Sequence, residues 1–255
     1  MNVVIIDGLN LIRRVHAAVL SGNRDADETT IINSCTGSLR KLLQRTTPSH
    51  VMCVMDSDQQ SWRHHEYPPY KANRKPMDET LKAQLPAVLQ AFEQVGVKNL
   101  AQDGFEADDV IASIAARVAG ANGEATIVST DKSFCQMIRP GIRVYDHFND
   151  RYLDKQYVKK KFETTPELLP SLFGLAGDSG LNVPGVRSIG IHTAAKLVND
   201  HGDIEQILKA AEQMPGHVGE KLRAGKEEAR QATRLLALRT DADLGLNIKD
   251  FRYGT

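Results

Sequence analysis

Cysteine is scarce and scattered. Cys35, Cys53 and Cys135 are the whole complement, and none stands in a C-x-x-C pair. That argues against structural zinc and against a disulfide framework, and for a reducing compartment. No charge excess exists either, because Lys+Arg and Asp+Glu both total 32. A nucleic-acid partner therefore gains nothing from the total and would need local patches. No apolar run approaches the ~20 residues of a membrane span. The opening run, Val3 to Ile6, is too short for a secretory signal. A cytoplasmic location with no membrane partner is the expectation. Repeats and low-complexity tracts are absent. No G-x-G-x-x-G or P-loop follows the first apolar run, which disfavours a nucleotide-binding enzyme. What remains is ordinary: 255 residues, 41% hydrophobic and 25% charged, enough for one large domain or a domain plus a smaller one.

The first half alternates strand-like and helix-like segments. The pattern predicts strands at 2–7, 50–55, 96–100 and 124–129, and helices at 9–20, 27–46, 80–95 and 106–120. Such a βαβα rhythm implies an α/β fold with a parallel sheet covered on both faces. In 106–120, Val110, Ile114 and Val118 recur at helical spacing with Ile111 beside them, an apolar stripe for the sheet. Beyond about residue 150 helices dominate, at roughly 155–163, 166–174, 192–200, 203–212 and 226–238. We expect an α/β core over 1–150 and a helical region over 151–255.

Four stretches place a carboxylate where a short strand ends or a helix begins: Asp7, Asp56, the group Glu106-Ala107-Asp108-Asp109, and Asp131. Taken singly, each reads as a turn former or helix cap. In a parallel sheet, however, ligands gather beyond the carboxyl ends of the strands. All four then meet in one cluster, which is tolerable if cations sit between the acids. An all-oxygen site suits Mg²⁺ or Mn²⁺ rather than zinc. Asp108 and Asp109 point about 100° apart on a helix, so both cannot serve one ion equally. Asp108 is the stronger candidate ligand. Asp109 is a weaker one, or a helix-dipole or supporting residue.

The segment 57–80 breaks the rhythm. It contains Pro68, Pro69 and Pro76, and between Ser61 and Pro76 it carries four Lys or Arg and one acid. Loops of this length are usually functional or disordered. Lys and Arg neutralise phosphates, and Tyr or Trp stacks on unpaired bases. Lys71 and Arg74 are three apart, on one side if the piece is helical, and fit a clamp on one phosphate opposite the metals. A solvated loop is the plainer alternative. His64 and His65 lack any partner spacing for zinc.

A third signal is Asn182-Val183-Pro184-Gly185-Val186-Arg187-Ser188-Ile189-Gly190-Ile191-His192-Thr193-Ala194-Ala195-Lys196. Gly185 and Gly190 bracket a tight turn, and a helix follows. Exposed backbone N–H groups and a helix N-terminus suit a DNA phosphate without base readout. Thr193 and Lys196 add side-chain donors. A plain helical turn is the alternative.

Together these residues resemble the 5′-nuclease family, that is, flap endonucleases and the nuclease domains attached to bacterial DNA polymerase I. The resemblance spans almost the whole chain in order. Ile5-Ile6-Asp7-Gly8 and Val54-Met55-Asp56 resemble its first two metal-ligand strands. Arg63-His64, Tyr67 and Tyr70-Lys71-Ala72-Asn73-Arg74 match its helical arch. Glu106 to Asp109, Ser129-Thr130-Asp131-Lys132, and Gly177-Asp178 with Pro184-Gly185-Val186 match the rest, the last being a helix–hairpin–helix region that grips duplex DNA.

The resemblance implies a Mg²⁺-dependent flap endonuclease that cuts DNA with a single-stranded 5′ flap beside a duplex, working as a monomer. It assigns Lys71 and Arg74 to the scissile phosphate. Asp7, Asp56, Glu106 and Asp108 fall to a first metal, and Asp131, Asp178 and the weaker Asp109 to a second. Carbonyls of Leu175, Ala176, Pro184, Val186 and Ile189 would hold K⁺. DNA contacts fall to Arg63, Tyr67, Gly185, Ser188, Ile189, Gly190, Ile191, His192, Thr193 and Lys196. Two positions depart from the family pattern. Ser133 and Leu181 stand where it usually has further second-site acids. That depletion resembles the stand-alone exonuclease IX branch, which lacks a polymerase domain. It also leaves open a DNA-junction binding module whose nuclease has decayed. An RNA-cleaving enzyme on a similar acidic fold is disfavoured by the duplex-gripping hairpin.

Overall fold

The structure, a computed structural model, describes residues 1–23 and 25–254. Its centre is a sheet of β1 (Asn2–Asp7), β2 (His50–Val54), β3 (Lys98–Leu100), β4 (Glu124–Val128), β5 (Ile142–Asp146) and β6 (Arg151–Leu153). The strand order is β3-β2-β1-β4-β5-β6. All neighbours are parallel except the last pair. Side chains alternate across a strand. Val3 and Ile5 of β1 therefore join one apolar cluster, and Val4 and Ile6 join the other. Burial on both faces explains why β1 reads as an unbroken apolar run.

One face carries α1 (Gly8–Gly22), α2 (Glu28–Thr46) and α4 (Glu79–Gln94). The other carries α5 (Ala107–Gly120), whose Val110, Ile111, Ile114 and Val118 are buried. The short α3 (Trp62–Glu66) lies between β2 and α4. The chain steps from β1 to β2 on one side and reaches β4 on the other. That reversal opens a crevice between the carboxyl ends of β1 and β4, where an α/β sheet binds ligands.

The expected strands and helices of this half are present within a residue or two. β5 and β6 were not anticipated. β6 pairs with β5, so the sheet runs past residue 150. The helical region comprises α6 (Lys155–Phe162), α7 (Leu169–Ala176), the strand pair β7 (Gly177–Asp178) and β8 (Val183–Pro184), α8 (Ile191–His201), α9 (Ile204–Ala211), α10 (Gly216–Ala224) and α11 (Lys226–Leu236). The expected helix at 166–174 is a 3₁₀ turn leading into α7. α10 lay outside the expected helices because Gly216 and Gly219 weaken its signal.

The same apolar cluster joins β1, α5 and α7 to α11, so sheet and helical region share a core. The last segment returns across α5. The Ala242 N–H donates to Ser113 Oγ at 3.2 Å, and the Tyr253 N–H donates to the Ser49 carbonyl at 3.1 Å. No helix among the described residues is long and apolar enough to cross a membrane.

Candidate active site

Each acid is first a local structural group. Asp7 ends β1 and caps α1, accepting from the Asn10 N–H at 3.1 Å with one oxygen and from Ser129 Oγ–H at 2.8 Å with the other. Gly8 follows because α1 starts hard against β2. A Cβ there would lie 2.4 Å from Met55 Sδ and 2.6 Å from Cys53 Sγ. Asp56 lies just beyond β2 and accepts from the Ala107 N–H at 2.8 Å. It thereby caps α5 from another element, where Glu106, the N-cap residue, makes no side-chain cap. Asp131 accepts from the Ser133 N–H at 2.8 Å, and Asp178 from the Leu181 N–H at 3.0 Å. Ser129 Oγ also accepts from the Asp131 N–H at 3.0 Å, so one hydroxyl ties the ends of β1 and β4 together. For Asp56, Asp131 and Asp178, one oxygen fixes the carboxylate and leaves the other free to act.

These groups converge on a cavity of about 650 Å³ at the carboxyl end of the sheet. Asp7, Asp56, Glu106, Asp108, Asp131 and Asp178 line it, and Lys71 and Arg74 line it too. Asp108, in the first turn of α5, has no hydrogen-bond partner among the described residues. Burial, then the charges of Asp7, Asp131 and Glu106, holds its carboxyl well above the usual carboxylate range, with Lys71 opposing. Burial likewise pushes Asp7 up to about 6, with Asp131 and Asp56 adding, against the hydrogen bonds from Ser129 and Asn10. Among the described residues, no three His, Cys, Asp or Glu side chains form a ready-made metal cage. The acids line one cavity without forming a coordination sphere. The carboxylates offer oxygen donors only, and burial with neighbouring acids raises both Asp7 and Asp108, which fits a hydrated hard cation.

Glu106 accepts from Tyr70 OH at 2.9 Å and Arg63 Nη1 at 3.3 Å, and pairs with Lys71. Burial and the Glu106 charge push the Tyr70 phenol up, so it stays a donor. The segment 57–80 is not a long helix. After α3 it turns tightly, and Lys71 itself has φ +57°. It docks on the turn between β7 and β8. The Lys71 N–H donates to the Leu181 carbonyl at 2.8 Å, Asn73 Nδ2 to Ser179 at 2.7 Å, and Asn182 Nδ2 to Pro69 at 2.7 Å. Turn geometry rather than helical phase puts Lys71 and Arg74 on the cavity, the Arg74 N–H donating to the Lys71 carbonyl at 2.9 Å.

Three expected site residues lie elsewhere. Asp109 is fully buried behind the cavity. It accepts from Trp62 Nε1 at 2.8 Å, from Arg63 Nη2 at 2.8 Å and from the Arg239 N–H at 2.9 Å. It is not positioned as a metal ligand. Arg63 is 2% exposed and spends its remaining donors on the Leu235 and Ala237 carbonyls at 2.7 and 3.1 Å. It cannot reach DNA. Tyr67 is half-buried against the cluster of Tyr70, Val183 and Leu235, a packing role. The basic character of 57–80 suggested solvent or nucleic acid for all of its charges. The partner of Arg63, however, sits 46 residues away on α5, beyond any local pattern.

The hairpin forms as expected in outline. Gly177 and Gly185 sit back to back. A Cβ on Gly185 would lie 2.3 Å from the Leu175 carbonyl oxygen and 2.4 Å from the Gly177 nitrogen. The Leu175 carbonyl accepts from the Val186 N–H at 2.9 Å, and the Val186 carbonyl accepts from the Ile189 N–H at 3.0 Å. Leu175, Ala176, Pro184, Val186 and Ile189 thus come together through their backbones. Ser188, Gly190, Ile191, His192 and Lys196 are exposed, Gly185 and Thr193 partly so, whereas the Ile189 side chain is buried. Gly190 caps α8 without any side-chain hydrogen bond. Arg13, Arg14, Lys132 and Lys161 also line the cavity. Their signal was available: Arg13 and Arg14 lie on the helix that Asp7 opens, and Lys132 follows Asp131.

Fold and site define an α/β protein with an acidic, oxygen-lined cavity at its topological switch point, faced by phosphate-sized cations. A family model described as 5′-3′ exonuclease, N-terminal resolvase-like domain, matches residues 2–163. A second, 5′-3′ exonuclease, C-terminal SAM fold, matches 164–255. The chain belongs to the 5′-3′ exonuclease family. It is 40% identical to a protein named flap endonuclease Xni from Photobacterium profundum, covering 99% of this chain and 97% of that one. To the protein of the same name from Klebsiella pneumoniae subsp. pneumoniae it is also 40% identical, over 99% and 98%. The fold is similar to that of a bacteriophage T5 flap endonuclease solved with DNA and metal ions, with TM-score 0.79 and 22% identity over 94% of this chain and 90% of that one. The catalytic core of Rad2 in complex with DNA is a more distant likeness, with TM-score 0.60 and 14% identity over 99% and 81%.

Proposed function

We propose that this protein is a structure-specific flap endonuclease that hydrolyses a phosphodiester at the junction of a 5′ single-stranded flap and duplex DNA. One observation carries the reading: acids from separate elements line a single cavity together with Lys71 and Arg74. Asp108, with Asp7, Asp56 and Glu106, would hold Mg²⁺. Asp131 and Asp178 would support a second, more hydrated ion, as Mg²⁺ keeps waters readily. Such ions lower the pKa of water and neutralise phosphate charge.

The chain's own part is placement. Lys71 pairs with Glu106, the neighbour of Asp108, and stands ready to exchange that carboxylate for a phosphate oxygen. Arg74 offers a second donor one turn away. Tyr70 and Arg63 keep Glu106 aimed while Lys71 leaves. Gly185 to His192, with Thr193 and Lys196, would anchor the duplex through backbone N–H groups and side-chain donors, aided by K⁺ on the Leu175, Ala176, Pro184, Val186 and Ile189 carbonyls. In this division the sheet region cuts and the helical region holds DNA, as a monomer in the cytoplasm.

A labelled 5′-flap substrate with titrated Mg²⁺ tests the reading. Wild type is expected to release the flap, and Asp108→Ala to lose at least ~10³-fold in rate, as the several kcal/mol supplied by a metal predicts, while still binding DNA. Binding without turnover by wild type would replace the proposal with a junction-binding module. RNA cleaved faster than DNA would also overturn it.

A further inference from the structure

The β5–β6 hairpin presents an aromatic array for which the cutting and duplex-holding groups have no use. Phe148 is 37% exposed and Tyr152 48% exposed. A single exposed ring needs no explanation. Here the rings are continuous. Tyr152 lies 5.0 Å from Tyr145 between centroids, Tyr145 6.3 Å from His147, and His147 5.4 Å from Phe148. Arginines close both ends, Arg14 at 5.0 Å from the Phe148 centroid and Arg143 at 5.6 Å from that of Tyr152.

The array is also held firmly. Ser38 Oγ lies 3.0 Å from His147 Nε2, and Tyr145 OH donates to Asp150 at 2.7 Å, which pairs with Arg45. Asp146 accepts from the Asn149 N–H and Nδ2 at 3.2 and 2.8 Å. These bonds hold the residues on either side of Phe148, which stays 37% exposed.

Position supplies the ligand. The hairpin follows the carboxyl end of β5, so it stands at the same end of the sheet as Asp7 and Asp131. Arg14 joins the two places. It lines the acidic cavity, donates to Thr130 Oγ1 at 3.4 Å, and covers Phe148. Arg13 and Lys132 extend the positive rim. An exposed ring beside a guanidinium, next to cations on a phosphate path, matches what unpaired nucleotides require: a face to stack on and a charge for the backbone. Resting on the flap-nuclease reading, we infer that Phe148 and Arg14 form a stacking site for unpaired bases of the single-stranded DNA arm, with its phosphates on Arg13 and Arg14.

The test is equilibrium binding, in Ca²⁺ to suppress cleavage, of three labelled DNAs: a flap, the same flap with abasic arm nucleotides, and blunt duplex. Phe148→Ala is expected to weaken flap binding about tenfold and to leave abasic-flap and duplex affinity unchanged. Phe148→Trp restores it, because any aromatic face serves. Wild type itself must bind the normal flap more tightly than the abasic one, which tests the idea even if Phe148→Ala folds poorly. Equal wild-type affinity for normal and abasic flaps overturns the stacking site. So does an equal loss by Phe148→Ala on all three DNAs. A wild type that does not prefer flap over blunt duplex counts instead against the flap reading on which this one rests.

Discussion

Asp109 and Asp108 are neighbours on α5 and face opposite regimes. Behind the helix, Asp109 is enclosed by Trp62, Arg63 and the Arg239 N–H, with every oxygen engaged. In front of it, Asp108 enters a cavity shared with Asp7, Asp131 and Glu106, and has no donor of its own. The first region pairs its charges and so fixes structure. It joins the base of the 57–80 segment (Trp62, Arg63), α5, the end of α11 (Leu235) and the segment after it (Ala237, Arg239) through the Asp109–Arg63 pair. The second leaves Asp7 and Asp108 without an ion pair among the described residues, a state that a bound cation would relieve on the function proposed above. Compensation, not the identity of the residue, separates the two acids.

The sharpest way to break this contrast is to remove one half of the paired region. Asp109→Ala takes from the buried Arg63 guanidinium its two-oxygen partner and leaves it Glu106 at 3.3 Å and two carbonyls, which costs about 3 kcal/mol, or a fall in Tm of order 10 °C for a chain of this size. Replacing both partners, as Arg63→Met with Asp109→Leu, is expected to lose far less, because no charge is left alone. Thermal unfolding with and without EDTA measures both. A loss below about 1 kcal/mol for Asp109→Ala would mean that Arg63 finds water, and the region is not the lock described.

Removing charge from the other region should do the reverse. A carboxyl raised in the fold stabilises it fully below its ordinary value and loses that contribution as pH rises through the raised one. For Asp7, from 3.8 to about 6, the loss between pH 4 and pH 7 amounts to about 2 kcal/mol in metal-free protein. Asp108 acts in the same direction. Asp108→Asn should therefore raise Tm in EDTA at pH 7, and its advantage over wild type should vanish toward pH 4. Added Mg²⁺ should stabilise wild type at pH 7 and the variant hardly at all. A variant less stable than wild type at pH 7 would show that Asp108 is already neutralised by the chain.

How far the sequence reveals this division depends on distance along the chain. The apolar runs of β1, β2 and β4, the stripe of α5 and the acid at each strand end are local patterns, and they place Asp7, Asp56, Asp108 and Asp131 on one cavity. β5 and β6 are short, and Arg143 and Tyr152 on them are solvent-facing, so their alternation was faint, although Pro140-Gly141 marks the turn before Ile142. Helix phase already allows Asp109 a supporting role, and the structure gives it one, but the role of Arg63 was beyond reach. A basic residue in a proline-rich segment reads as exposed, and only the tertiary fold brings it to an acid on α5 and to carbonyls of the C-terminal segment.

The smallest expected effect bears on the depleted side of the cavity. Ser133 and Leu181 both line it, and Ser133 Oγ is buried with no hydrogen-bond partner. Their backbone N–H groups already hold Asp131 and Asp178, so an acid at either position would enter beside an existing one. Ser133→Asp with Leu181→Asp adds uncompensated charge to the unpaired region. It should lower the Mg²⁺ needed for half-maximal cleavage about tenfold, equivalent to ~1.4 kcal/mol, and lower Tm in EDTA at pH 7. The two readouts must move together, because the same repulsion that destabilises the metal-free protein is what the ion relieves. An unchanged Mg²⁺ requirement with a lowered Tm would place the new acids in the cavity but outside the reach of the ion, and would confine cation binding to the wall formed by Asp7, Asp56 and Asp108.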